Sequence, residues 1–287
     1  MNQLRGIVLV LVSATAFGAM AIFAQGAYGS GVGILTLLFL RFGVATIALQ
    51  GITRWSGFAL PQGRNLKILI AIGSIAFVGQ ALCFFGALTL IPAGLVGLLL
   101  YLYPTLVVVF NLLLGQESVT RPKLLALASA TLGIVLMAGL TPGANPLGVA
   151  LGLGAAVIYA IYVMVGSHVL RQEAAIPACT VMVSSAAVVF GVLVAIQGPQ
   201  WPTTGLGWGA ALAIGLVSTT LSIVTLLLGI QAIGPVSAST LSTFEPVVTL
   251  VLAAVFLQEP IGLFQGLGGV LVLAAVVILA HCYPGTH

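Results

Sequence analysis

The chain has 287 residues, of which 61% are apolar and 4% charged, and its mean hydropathy is +1.28. Soluble domains carry about 25% charged residues, and 8 basic with 4 acidic side chains cannot clothe a soluble core of this length, so a water-soluble domain is excluded. The net charge of +4 is spread thinly between apolar runs, which excludes a nucleic-acid surface and reads as membrane topology.

A bilayer core takes about 20 apolar residues per helix. Breaks at Gly, Pro and polar clusters divide the chain into ten such runs: 4–26, 34–53, 66–89, 92–114, 122–139, 147–166, 175–196, 208–229, 236–256 and 260–281. The tightest divisions fall around Pro92, Pro235 and Pro260, where a hairpin must close in very few residues. Arg5 precedes an apolar run longer than a signal peptide's, so the first span is expected to stay in place. Cys83, Cys179 and Cys282 are odd in number and lie in or beside apolar runs, so they read as small apolar residues rather than disulfide or metal partners.

Lys and Arg are retained on the cytoplasmic side in short loops. With the N-terminus inside, Arg5, Arg54, Arg64, Lys67, Arg121, Lys123 and Arg171 all fall on that side, and the loops at Tyr28, Thr141 and Gln197 contain no basic residue. The eighth basic residue, Arg41, lies inside the second span. An even span count returns the C-terminus to the cytoplasm.

Displacing the chain by 142 residues superposes its halves without a gap: Gly6 on Gly148, Ala14 on Ala156, Phe17 on Tyr159, Gly73 on Gly215, Pro104 on Pro246 and Glu117 on Glu259. The match is densest where YPTLVVVFNLLLGQE from Tyr103 meets EPVVTLVLAAVFLQE from Glu245; both read as Pro, twelve residues, then Glu. Five spans per half is an odd number, so the second half must enter the membrane from the opposite side. The predicted fold class is an all-α integral membrane protein with ten transmembrane helices as two inverted five-helix repeats, 1–142 and 143–287. Inverted repeats belong chiefly to secondary transporters, which bind at the midplane between related bundles.

The 5 + 5 spans, Arg41 early in the second span, and the doubled pattern from Pro104 to Glu117 and from Pro246 to Glu259 resemble the EamA family of the drug/metabolite transporter superfamily. The resemblance covers nearly the whole chain. It implies export of amino acids, aromatic ones first, or of other small metabolites across a bacterial inner membrane, by alternating access through a cavity lined by spans one, three, four, six, eight and nine. It implies no cofactor. The expected partners are a small-molecule substrate and membrane lipid, with the chain a monomer or weak homodimer.

Glu245 falls near the middle of the ninth span, where a charge costs roughly 2.5–3.5 kcal/mol on insertion scales. It either holds a substrate amino group or coupling proton, or serves as a structural hydrogen-bond acceptor. Tyr103 occupies the equivalent place in the first half. Arg41 could clamp a carboxylate, but an interhelical tie to carbonyls or to Glu245 is the preferred role. Glu117 and Glu259, at span ends on opposite faces, read as anchors of helix ends before gates. Pro104 and Pro246 interrupt their spans and each free the carbonyl four residues earlier, giving a bend, a gate or a static kink.

On the spans expected to line a cavity lie Phe17, Gln80, Phe84, Tyr101, Tyr159, Tyr162, Ser222, Ser239, Ser242 and Thr243. The pairs Gln80 with Phe84 and Ser239 with Thr243 are four apart and share a helix face. Together these residues describe an apolar pocket with a few polar handles, suited to a neutral amphipathic ligand; the competing role is packing. Gly148, Gly152, Ala156 and Ala160, and Gly262 with Gly266, read as close-packing faces. His168, His281 and His287 are too dispersed for a metal site. The chain has no Asp, no HExxH and no GxSxG, so an intramembrane enzyme is poorly supplied; export of cationic drugs is the nearer alternative. Proton antiport and facilitated diffusion stay equally open.

Overall fold

The computed structural model describes residues 2–115, 120–139, 145–170, 172–234, 238 and 241–282. These residues are helical apart from turns and short loops, and no strand occurs among them. Ten segments cross the membrane. Helix α1 pairs Asn2–Gly18 with Met20–Tyr28, α2 is Ile34–Trp55, α3 runs through Gly63–Ala71, Ile72–Phe77 and Val78–Ala87, and α4 joins Ala93–Leu100 to Tyr103–Leu113. Helix α5 is Arg121–Gly139, α6 Pro146–Leu170, α7 Ala175–Gln197, and α8 runs through Gly205–Gly215, Leu216–Leu221 and Ser222–Ile233. Helix α9 includes Phe244–Phe256, and α10 is Leu263–Cys282. Seven segments are apolar over a full bilayer thickness; the apolar stretches of α5, α9 and α10 are shorter. Both described ends, Asn2 and Cys282, lie on one side, called here the terminal face, and the opposite side is the distal face.

The two sets of five helices pair across the repeats. Helix α1 packs on α8 as α6 packs on α3, and α1 meets α9 as α6 meets α4. Helix α2 packs on α7, and α5 on α10, each with its own counterpart. The set of pairings is unchanged when the halves are exchanged, as a two-fold axis in the membrane plane requires for five-helix repeats of opposite orientation.

Glycines set these crossings. A side chain at Gly6 would strike Ala232 and Ile233, and one at Gly148 would strike Leu90 and Ile91, the equivalent residues of the other half. A Cβ on Gly73 would lie 2.3 Å from the Met182 carbonyl oxygen, and one on Gly215 would lie 2.7 Å from Val44. Helix α3 therefore meets α7, and α8 meets α2, with almost nothing between the backbones, the contact that small residues allow in lipid.

Several spans are less regular than their sequence patterns. Helix α1 is interrupted at Ala19, α4 at Tyr101–Leu102 and α9 at Thr243. Pro104 and Pro246 do not kink continuous helices: each stands in the first turn after a break, where its missing N–H costs least. Helices α3 and α8 widen at equivalent places into π-helical turns, Ile72–Phe77 and Leu216–Leu221. In the second, Thr219 and Thr220 donate to the carbonyls of Ile214 and Gly215, five residues back, at 2.9 Å each. Such turns often mark functional positions within helices.

Candidate functional site

Glu245 stands in the first turn of Phe244–Phe256, just beyond the break at Thr243. The residue stays partly exposed although its helix is otherwise apolar. The helix N-terminus behind it favours negative charge. Tyr101, at the corresponding break in α4, is buried, and its hydroxyl lies 3.1 Å from Glu245 Oε2. The same hydroxyl donates to the carbonyl of Ser242. That carbonyl is four residues before Pro246, which has no N–H to offer it. Tyr101 thus supplies the partner that the proline removes, and a buried carbonyl in lipid needs one.

From this acid a row of rings runs across the bundle. Tyr101 and Tyr103 of α4 have centroids 5.9 Å apart, Tyr103 and Tyr159 of α6 are 4.2 Å apart, and Tyr159 and Tyr162 are 4.8 Å apart. Phe77, at the end of the π-turn in α3, stacks on Tyr162 at 4.9 Å and meets Phe42 of α2 edge-on at 6.3 Å. Tyr103, Tyr159, Tyr162 and Phe77 are partly exposed, like Glu245.

Arg41 closes the far end of the row. Its guanidinium lies over the rings of Phe42 and Phe85 at 4.8 and 5.3 Å, and its Nε donates to Thr219 Oγ1 at 3.1 Å. It is close enough to Tyr162 to interact electrostatically. With 7% of its surface exposed, Arg41 is an enclosed tie between α2 and the π-turn of α8, and no ion pair with Glu245 forms. The widened turn brings the Thr219 hydroxyl to a place where it accepts from Arg41 and donates to Ile214.

The remaining sequence-predicted residues divide. Ser242 contributes its carbonyl to Tyr101, while its hydroxyl donates to Ala238 at 2.9 Å. Thr243 forms the break itself. Ser222 is fully enclosed; its carbonyl accepts from Ser13 of α1 and its hydroxyl donates to Thr219, so it packs α8 on α1 and lines no opening. Phe84 is buried edge-on against Phe85. Phe17 and Gln80 are partly exposed. Ser239 and Glu117 lie outside the described residues. Glu259 accepts from the N–H groups of Ala93 at 2.8 Å and Gly94 at 3.2 Å, capping the distal end of α4. Tyr103, Phe77 and Thr219 were not singled out from the sequence, although Tyr103 is the repeat equivalent of Glu245.

The two faces differ in how they are closed. On the distal side every residue of Ala93–Leu100 is buried. Loops of opposite repeats are joined there: Gly33 N–H donates to the Gln200 carbonyl, Gln200 N–H to Thr36, and Thr203 donates twice to the Ser30 carbonyl. Toward the terminal face, in Tyr103–Leu113, Thr105 and Val108 alone are fully buried. A separate cavity of about 630 Å³ opens at the distal ends of the helices between Tyr28, Thr36, Leu82 and Gln200. It holds none of the predicted site residues and no charged side chain to orient a ligand. No cluster of His, Cys, Asp and Glu among the described residues could hold a metal ion.

Comparisons with known proteins agree with this architecture. The chain is 25% identical over 280 residues to the uncharacterised transporter YcbK of Bacillus subtilis, covering 92% of this chain and 90% of that protein. It is 26% identical over 273 residues to an uncharacterised transporter of Archaeoglobus fulgidus, covering 94% of each. A crystal structure sharing 18% identity superposes with a TM-score of 0.68 over 98% of this chain and 99% of that one, which establishes a common fold. The EamA-like transporter family matches twice, over residues 4–139 and 146–280. The chain therefore belongs to the EamA-like transporter family and is a multi-pass membrane protein.

Proposed function

We propose that this transporter carries small amphipathic molecules bearing a positively charged nitrogen on an apolar, commonly aromatic, body. The ammonium sits at Glu245 and the body lies along Tyr103, Tyr159 and Tyr162. The observation that carries the reading is a partly exposed glutamate, Glu245, at the head of a row of partly exposed aromatic residues. A carboxylate beside aromatic faces attracts a cation by charge and by the ring quadrupoles together. Aromatic amino acids enter this class through their ammonium groups, and cationic drugs through theirs. The substrate's own carboxylate is poorly served: Arg41 is the one basic side chain well inside a described span rather than near its end, it is bound to Thr219, and the aromatic row separates it from Glu245. The amino and carboxyl groups of an α-amino acid sit on one carbon and cannot reach both.

The open side of α4 supports entry from the terminal face. The distribution of Lys and Arg favours a cytoplasmic terminal face, which supports export across a bacterial inner membrane by alternating access between the two repeats. Calorimetric binding of tryptophan, tryptamine and the uncharged tryptophol to the purified protein tests the substrate class. Tryptamine is expected to bind at least as well as tryptophan, with tryptophol weaker by about tenfold or more, one lost charge pair being worth at least 1.4 kcal/mol. Equal binding of tryptophol would overturn the role of Glu245 in recognition.

A further inference from the structure

We infer that the Tyr101 hydroxyl turns Glu245 into an exchange site that is satisfied by one proton or by one substrate cation and is left short when it holds neither. The inference rests on the substrate reading above and adds how transport is coupled. Its basis is a count of hydrogens. A phenol has one hydrogen to donate and can also accept. Tyr101 has two neighbours, the Ser242 carbonyl, which only accepts, and Glu245 Oε2 at 3.1 Å.

When Glu245 carries a proton, its carboxyl donates to the phenol oxygen and the phenol donates to Ser242, so nothing is unpaired. When Glu245 is ionised and alone, it competes for the single phenolic hydrogen. A charge-assisted bond prevails over a neutral one. The Ser242 carbonyl, which Pro246 has already deprived of its helical donor, then loses its phenolic donor as well. When a cation sits at the carboxylate, charge is neutralised by charge and the phenol hydrogen returns to Ser242. Binding one cation therefore releases the carboxyl proton from Glu245 to water on the open side, and releasing the cation takes one proton up. The net charge of the site is the same in both loaded states.

No other group around Glu245 takes this role. Helix α4 presents Tyr101 and Tyr103, and α6 presents Tyr159. Helix α1 packs the backbone of Gly18 against Glu245 and, between Arg5 and Tyr28 at its ends, carries no charged side chain. Thr249, on the same helix as Glu245, is a neutral hydroxyl bound to the Gly18 carbonyl. Glu245 is the one carboxylic acid within the described spans.

The probe is benzyltrimethylammonium, whose permanent charge prevents passive crossing. Added to purified protein in weak buffer, it is expected to release about one proton per cation bound, by linkage at a single group. In proteoliposomes a gradient of one pH unit is expected to accumulate it about tenfold, the ratio set by one-for-one exchange. Pro246→Ala gives Ser242 a backbone N–H four residues on, so ionised Glu245 no longer strands the carbonyl; accumulation is expected to fall below about threefold while proton release on binding persists. Tyr101→Phe removes the shared hydrogen and is expected to weaken binding and lower accumulation in the same way. Wild-type binding without proton release would overturn the exchange and leave the substrate reading standing. Accumulation by both variants equal to wild type would overturn the part assigned to Tyr101. Failure of the wild type to bind the cation would overturn the substrate reading and the exchange together.

Discussion

Ala93–Leu100 and Tyr103–Leu113 are consecutive pieces of one span, both apolar, yet every residue of the first is buried and only Thr105 and Val108 of the second are. The difference lies in what surrounds them. The distal piece is wedged against α9 through Gly94 and Gly97, which admit Leu250 and Thr249, and its end is capped by Glu259. The terminal piece leans on α6 through Tyr103 and is otherwise loosely covered. Within one helix, then, a fully packed piece and a partly exposed piece adjoin at the break that holds Tyr101. Helix α9 is the counterpart of α4 in the inverted half.

The largest effect on this division is expected at the boundary itself. Glu245→Gln removes the charge but keeps the shape, and calorimetry should show cation binding reduced roughly 30-fold or more, since truncating a buried charge partner costs about 2–5 kcal/mol. Gly94→Val tests the fully packed piece. Its added atoms meet Leu250 at 2.8 Å, so thermal unfolding in detergent should show a loss of about 1–3 kcal/mol, whereas Gly43→Ala, which meets nothing within 4 Å, should be neutral or slightly stabilising. Glu259→Ala strips the cap from Ala93 and Gly94 at a cost of about 0.5–2 kcal/mol; a cysteine at Leu98 should then react severalfold faster with a polar thiol reagent. Smallest is Tyr159→Phe, which keeps the ring contacts and should change cation affinity by less than about threefold. A large loss there would make the hydroxyl, and not the ring, the feature that binds.

Much of this architecture was legible in the sequence because lipid leaves few options. Ten apolar runs must be ten helices, and the 142-residue register with five spans per half fixes their inversion. The doubled Pro to Glu pattern pointed to α4 and α9, and the proline rule foretold a freed carbonyl, at Ser242, needing a new partner. What the pattern did not contain was continuity. An apolar run reads alike whether its helix is straight, broken as in α4, or widened into a π-turn as in α3 and α8, because each form satisfies the backbone internally or through neighbours. Tertiary contacts decided the individual residues too. Ser222 looked like a polar handle and proved to be packed on Ser13, while Thr219, three residues earlier, receives Arg41. Tyr103 had a signal in its alignment with Glu245, but Phe77 had none, since one more Phe in an apolar span is indistinguishable from packing.

Cysteine accessibility along α4, in a background lacking Cys83, Cys179 and Cys282, tests most directly whether the path to Glu245 opens on one side. Val107 shares a helix face with Tyr103, and Leu98 lies in the fully packed piece. In native membranes a charged thiol reagent should modify Val107→Cys readily, with benzyltrimethylammonium slowing the reaction, and should leave Leu98→Cys nearly untouched. Equal reactivity at the two positions, or modification of Val107→Cys that the cation does not slow, would contradict a one-sided opening leading to Glu245.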